Sequence, residues 1–142
     1  KIVVSNFLDI GCGSGILALA ALKLNAKKAL GIDTDPQALA ASKKNAQINN
    51  LDQALELALP EDSKTTDWLG KADIVIANIL ANPIKKLATT LLNMLNPDGT
   101  LILSGILEAQ ASEIISHYHR FLSLEQKKTK NGWVLLQGKV DN

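Results

Sequence analysis

Apolar positions along the chain alternate between two periods. Phe7-Leu8-Asp9-Ile10 is a short apolar run ending at glycine and predicts a buried strand. Residues 16–24 are rich in alanine and leucine, the best helix formers, and predict a helix that stops at Asn25. A second strand is predicted over 29–33. Asp35 then has the place of an N-cap, with Pro36 at the first helical position, where its missing N–H costs nothing. The helix it opens should run to about Asn49. A third strand is predicted over 55–59, followed by a polar stretch with one helical turn around Asp67. Residues 73–78 form the clearest central strand, because their apolar run includes β-branched side chains. A helix over 84–95 should follow, stopped by the turn Asn96-Pro97-Asp98-Gly99. The spacing then predicts a strand over 100–104 and a helix over 108–118. Two last strands, 121–126 and 133–138, are joined through Lys130-Asn131-Gly132.

Strand–helix alternation of this kind requires a mostly parallel sheet covered on both faces. Right-handed crossovers place the C-terminal ends of the parallel strands on one edge, where ligands bind in open α/β sheets. The expected fold class is therefore α/β: a Rossmann-like, doubly wound, mostly parallel seven-stranded sheet ending in an antiparallel hairpin. At 142 residues the chain makes one domain, and its 46% apolar content can build a core and excludes disorder. Fifteen Lys and Arg against fourteen Asp and Glu leave a net charge of +1, so no basic field for nucleic acid is implied. Its lone cysteine excludes an internal disulfide framework. No apolar run is long enough to span a bilayer, so no membrane partner and a cytoplasmic location are expected. Lys1 stands where an initiator methionine would, a few residues before the first motif, and the expectation is a piece of a longer chain.

The strongest chemical signal is Asp9-Ile10-Gly11-Cys12-Gly13-Ser14-Gly15, between the first strand and the first helix. The spacing is G-x-G-x-G. A dinucleotide fingerprint would need glycine where Ile16 stands, which disfavours a nicotinamide oxidoreductase. With Asp9 ahead of the loop, the arrangement suits an adenosyl ligand with a cationic methionine tail. Asp33, at the end of the second strand, can accept hydrogen bonds from both ribose hydroxyls, while Asp35 serves as the helix cap. Asn78, at the end of the fourth strand, can accept from a substrate N–H and aim the nitrogen lone pair at an electrophile. His117 and His119 are two residues apart and share no helix face as ligands, so no metal is expected. Cys12 reads as a small loop residue, and Lys127-Lys128-Thr129-Lys130 as a solvated strand end.

These elements together resemble a class I methyltransferase dependent on S-adenosylmethionine, and more narrowly the bacterial family that methylates large-subunit ribosomal protein L11. The glycine loop through Ile16-Leu17, Gly31-Ile32-Asp33-Thr34-Asp35-Pro36, Ala77-Asn78-Ile79-Leu80-Ala81 and Leu103-Ser104-Gly105-Ile106-Leu107 carry the likeness, which covers nearly the whole chain. The last two strings make the narrower match specific. The resemblance implies S-adenosyl-L-methionine as cofactor, contacted by Asp9, Gly11, Gly13, Asp33 and Asn78, with Asn78 also orienting the accepting amine. It implies a ribosomal protein substrate, recognised through a domain upstream of the first strand. That domain and the family's threonine-containing cofactor loop are not found in these residues, which would constitute the catalytic domain alone. Ile79-Leu80 replace the Pro-Pro-aromatic of many nitrogen methyltransferases, which favours a flexible aliphatic amine over a planar base. Methylation of another protein or a small molecule, and a cofactor-binding module without turnover, are the alternatives.

Overall fold

Phe7, Leu8 and Asp9 are all buried in the first strand, as a central strand covered on both faces requires. The computed structural model describes residues 4–140, so Lys1 lies outside it. The elements run β1 (Asn6–Ile10), α1 (Ile16–Lys23), β2 (Lys28–Ile32), α2 (Pro36–Ile48), β3 (Leu55–Ala58), α3 (Ser63–Asp67) and β4 (Ala72–Asn78). They continue with α4 (Ala81–Lys86), α5 (Ala88–Met94), β5 (Leu95–Leu107), a 3-10 turn (Glu108–Gln110), α6 (Ala111–Tyr118), β6 (Glu125–Lys130) and β7 (Trp133–Lys139). The seven strands form one sheet in the order β3-β2-β1-β4-β5-β7-β6. The first five are parallel, and β7 pairs antiparallel with both β5 and β6. The expected fold class holds.

Two apolar cores lie on opposite faces of the sheet. Leu8, Leu30, Val75, Ala77, Leu101 and Leu103 belong to the larger, which also takes in Ile84, Leu91 and Ile114 of α4, α5 and α6. The smaller joins Phe7, Ala29 and Leu55 to Ala18 and Leu22 of α1 and Ala46 of α2. Each fully buried leucine contributes roughly 1.5–3 kcal/mol. Between β1 and β4 the strand order reverses direction, so α1 and α4 leave on opposite faces and open a crevice at the C-terminal edge. Asp73 ties the far edge: its carboxylate accepts from the backbone N–H groups of Ser5 and Asn6, both at 2.8 Å.

Three elements differ from the expected ones. The helix predicted over 84–95 begins at Ala81 and is divided at Leu87 into α4 and α5. Pro83 falls in the first turn of α4, where a backbone N–H has no intrahelical partner, so proline does not delay the start. The Asn96–Gly99 turn is an excursion inside β5, since Ala72 pairs with Leu95 and Ile74 only with Thr100. An Asx bond from Asp98 N–H to Asn96 Oδ1 (3.0 Å) shapes it. The sixth strand lies at Glu125–Lys130 rather than 121–126. Asn131 and Gly132, with φ of 53° and 81°, form a two-residue turn that forces Lys130 to pair with Trp133. Every β6 residue is exposed, so no apolar alternation marked it.

Candidate active site

The glycine loop leaves β1 and turns at once: the N–H groups of Gly11 and Cys12 both donate to the Ile32 carbonyl, at 2.7 and 3.1 Å. Gly11, Gly13 and Gly15 all have positive φ (76°, 53° and 82°), a conformation that costs other residues about 1–2 kcal/mol. Gly15 is the N-cap of α1. Beneath the loop, the Ser42 hydroxyl of α2 donates to the Gly13 carbonyl (2.7 Å), and the Asn45 amide donates to the Ser14 carbonyl (2.9 Å). Ser42 is fully buried, and the Cys12 sulfur lies 3.7 Å from its oxygen. Burial pushes the Cys12 thiol up to about 11, so it is neutral and unreactive near pH 7. Nothing in the sequence pattern singled out Ser42 or Asn45, because one buried polar residue does not disturb the period of an alanine-rich helix.

Asp33 follows β2 and holds the loop to the next helix. One of its carboxylate oxygens accepts from Gly13 N–H (3.0 Å) and the other from Asp35 N–H (2.9 Å). Asp35 in turn caps α2, accepting from Gln37 N–H at 2.9 Å. The expected division of labour holds for Asp35, but Asp33 is not a free carboxylate: it fastens the loop, while each oxygen keeps a further lone pair for another donor.

Asp9 is 1% exposed, and neither carboxylate oxygen has a hydrogen-bond partner among the described residues. Burial, reinforced by the charge of Asp33, raises its pKa to about 7. An unpaired buried carboxylate is costly, and a cationic group brought beside it would relieve that cost.

At the β4 exit, Asn78 is exposed and Ile79 turns back between two glycines. A Cβ on Gly11 would lie 2.6 Å from Ile79 Cγ2, and one on Gly105 would lie 2.8 Å from the Ile79 carbonyl and 3.0 Å from Asn78 Oδ1. Gly105 also has a φ of 77°, so the β5 exit requires glycine twice over. Ile79 is thus wedged against both the glycine loop and the fifth strand. In the sequence Ile79 belongs to a string that carries the family likeness and replaces part of an aromatic motif, but neither reading reveals this wedge.

A cavity of about 510 Å³ opens between these parts, bounded by Ile10, Gly11, Asp33, Ile79, Leu87 and Met94 among others. Its walls are mostly apolar, and Asp33 is the charged group among them. Gly11 and Asp33 stand in the cavity wall. Gly13 holds its loop in shape, Asp9 is buried in β1 under that loop, and Asn78 sits at the exposed strand end beside Ile79. Leu87 and Met94, which supply part of the apolar lining, went unnoticed as site residues because their helical spacing reads equally well as core. The cavity's size and its mostly apolar lining with a few polar groups are those of a small-molecule site.

Sheet order, positive-φ glycine loop and acidic β2 end together define the methyltransferase class of Rossmann-like fold. Comparison with known proteins narrows this. Residues 3–141 match the family model described as ribosomal protein L11 methyltransferase (PrmA), and the chain belongs to that family. It is 49% identical over 131 residues to the ribosomal protein L11 methyltransferase of Colwellia psychrerythraea, an alignment covering 92% of this chain and 43% of that protein. The crystal structure of a ribosomal protein L11 methylase from Lactobacillus delbrueckii superposes with a TM-score of 0.84 at 33% identity, covering 99% of this chain and 72% of that one. An RNA methyltransferase from Salinibacter ruber, in complex with S-adenosyl-L-homocysteine, shares the fold at a TM-score of 0.74 and 16% identity, with 97% and 82% covered. The chain spans less than half the length of the curated relatives it matches.

Proposed function

We propose that this chain is the catalytic domain of a methyltransferase that moves methyl groups from S-adenosyl-L-methionine to amines of ribosomal protein L11, on lysine side chains, the N-terminal amine or both. The observation that carries the cofactor assignment is the buried, unpartnered Asp9 beneath a glycine loop whose cavity wall ends in Asp33. The two carboxylates suit the two polar ends of such a ligand: Asp33 its ribose hydroxyls, Asp9 the charge of its ammonium-bearing tail. Gly11 gives the main chain close access, Gly13 presents Asp33, and Ile10, Ile79 and Met94 offer apolar surface to a flat ring. When bound, this cofactor supplies an electrophilic methyl group on a sulfonium.

The protein's own work is then alignment and exclusion of water. Asn78 stands at the exposed end of β4, next to the residue that closes the cavity. Its side-chain oxygen accepts a hydrogen bond from the incoming amine and points the nitrogen lone pair into the site. A lysine amine has a reference pKa near 10.4 and must shed its proton before attack, to solvent or on entering the apolar mouth. Ile79 and Leu80 at that mouth suit an aliphatic stem better than a planar base.

Recognition of the ribosomal protein belongs, on this reading, to the part of the relatives' length that these residues do not span. Stable specific recognition needs roughly 800 Å² per partner. Among the described residues no helix is long and apolar enough to cross a membrane, and work on a ribosomal protein fits a cytoplasmic location without direct nucleic-acid binding. The test is transfer of labelled methyl from S-adenosylmethionine to purified L11, comparing this chain with a protein of the relatives' full length. The longer protein should methylate L11 and this chain negligibly. Comparable turnover would place recognition inside these 142 residues, and no transfer by the longer protein would refute the substrate.

A further inference from the structure

The break at Leu87 between α4 and α5 has no local cause, because residues 84–94 contain neither glycine nor proline. Without those residues, a helix is interrupted where a side chain inserts into its ladder of backbone bonds. Leu87 N–H still donates to the Pro83 carbonyl (2.9 Å), and Leu91 N–H to the Leu87 carbonyl (2.8 Å). The carbonyls of Ile84 and Lys85 lie between those two acceptors, and each takes a side chain of α6 as a partner. The Tyr118 hydroxyl donates to the Ile84 carbonyl at 2.7 Å. His117 Nε2 lies 3.1 Å from the Lys85 carbonyl, which can only accept, so Nε2 carries the proton. One turn earlier on α6, Glu113 receives Lys85 Nζ at 2.6 Å. Three side chains of α6 therefore grip two adjacent residues of α4.

This grip reaches the cavity without entering it. Tyr118 and Ile84 are both 0% exposed, so their bond lies inside the larger core. Burial pushes the Tyr118 phenol above its ordinary range, and it remains a donor near neutral pH. Neither Tyr118 nor His117 lines the 510 Å³ cavity, but Pro83, just before Ile84, and Leu87, at the break, both do. Leu91 and Met94 of α5 continue the same wall. On its other side α4 starts at Ala81, directly after the Asn78-Ile79-Leu80 turn.

Resting on the cofactor reading proposed above, we infer that Tyr118, with His117 beside it, is a positioning residue for the adenosyl cofactor. By holding the Ile84 and Lys85 carbonyls, the pair keeps α4 and α5 apart and sets the apolar wall of Pro83, Leu87 and Met94 before the ligand arrives. Without these donors, Ala88 N–H takes the Ile84 carbonyl, the stretch closes into one helix and the wall shifts. The form competent to bind is then only part of the population, and apparent affinity falls by that fraction.

Calorimetric titration of the chain with S-adenosylhomocysteine, well below its melting temperature, tests this. Tyr118→Phe removes one oxygen and keeps the ring; it should raise Kd about three- to tenfold, the worth of one neutral hydrogen bond. His117 is only partly buried, so its replacement spares the core. His117→Ala should raise Kd about threefold on the same scale, and His117→Gln, which keeps an N–H donor, should recover most of that loss. Leu55→Ala, in the smaller core at the opposite end of the strands, should lose stability and leave Kd unchanged. An unchanged Kd in Tyr118→Phe, or an equal rise in Leu55→Ala, would overturn the inference. So would His117→Gln binding as poorly as His117→Ala. Absence of S-adenosylhomocysteine binding by the unsubstituted chain would instead refute the cofactor reading on which the inference rests.

Discussion

Asp33 does two jobs at once, and its replacement separates them. Its oxygens hold Gly13 and Asp35 in this structure, and on the proposed reading they also accept from the ribose. Asp33→Ala should weaken S-adenosylmethionine by about 1.5–3 kcal/mol, the usual worth of hydrogen bonds to a charged group, read as a Kd change by calorimetry. Asn78→Ala should act differently, lowering the single-turnover rate of the longer protein at saturating cofactor more than it weakens cofactor binding. An unchanged rate with lost cofactor affinity would make Asn78 a cofactor ligand only. Asp9 yields a pH dependence whose sign follows from its raised pKa, about 7 when folded against 3.8 for an unperturbed aspartate. Between those values the folded chain keeps a proton that the unfolded chain has lost, so this residue's contribution to stability falls as pH rises through the window. Asp9→Asn should therefore gain thermal stability over the unsubstituted, ligand-free chain as pH rises from 4 to 7, and the gain should level off above. A gain that shrinks with pH would place the Asp9 carboxylate in a stabilising ion pair instead. At this scale the sequence singled out both carboxylates, Asp9 directly before the glycine loop and Asp33 at the end of the second strand. That Asp33 is already hydrogen-bonded, and that Ser42 underpins Gly13, depend on contacts made 20 and 29 residues away in the chain.

Secondary elements were legible where a period met a stop signal. Asp35-Pro36 opened α2 as expected, and Asn25, with a φ of 79°, ended α1. Legibility failed where tertiary contacts replaced periodicity. β6 carries no buried residue and exists because a two-residue turn folds it onto β7; its lysines give an edge strand that resists pairing with another chain. The split of the 81–94 stretch at Leu87 left no mark in a continuous apolar pattern. Strand exits carry the strictest demands. At the β5 exit, Gly105→Ala would press a methyl onto the Ile79 carbonyl and force a positive φ on alanine. The cost should be about 2–4 kcal/mol, summing overpacking and left-handed strain, measured by urea unfolding. Gly13→Ala meets no atom within 4 Å and bears only the φ cost, so it should unfold with a smaller loss. Equal losses at the two sites would show that the Asn78–Ile79 turn yields easily.

For the whole molecule, the order β3-β2-β1-β4-β5-β7-β6 places the glycine loop, the β2 acid and the β4 exit on one edge although they are far apart in sequence. Alternating strands and helices made that edge foreseeable, and the G-x-G-x-G spacing separated it from a dinucleotide site. The cavity was not foreseeable, because it arises where the α4–α5 stretch packs over the exits of β1, β2 and β4. Both sheet faces have apolar cores of their own, so the chain should unfold in one cooperative transition by calorimetry. The central claim is that this edge binds an adenosyl–methionine ligand rather than a dinucleotide. Calorimetric titration of the chain with S-adenosylhomocysteine and with NAD tests it most directly. The account predicts saturable binding of S-adenosylhomocysteine, lost or strongly weakened in Asp33→Ala, and little heat from NAD; tighter binding of NAD, or S-adenosylhomocysteine affinity unaffected by Asp33→Ala, would contradict it.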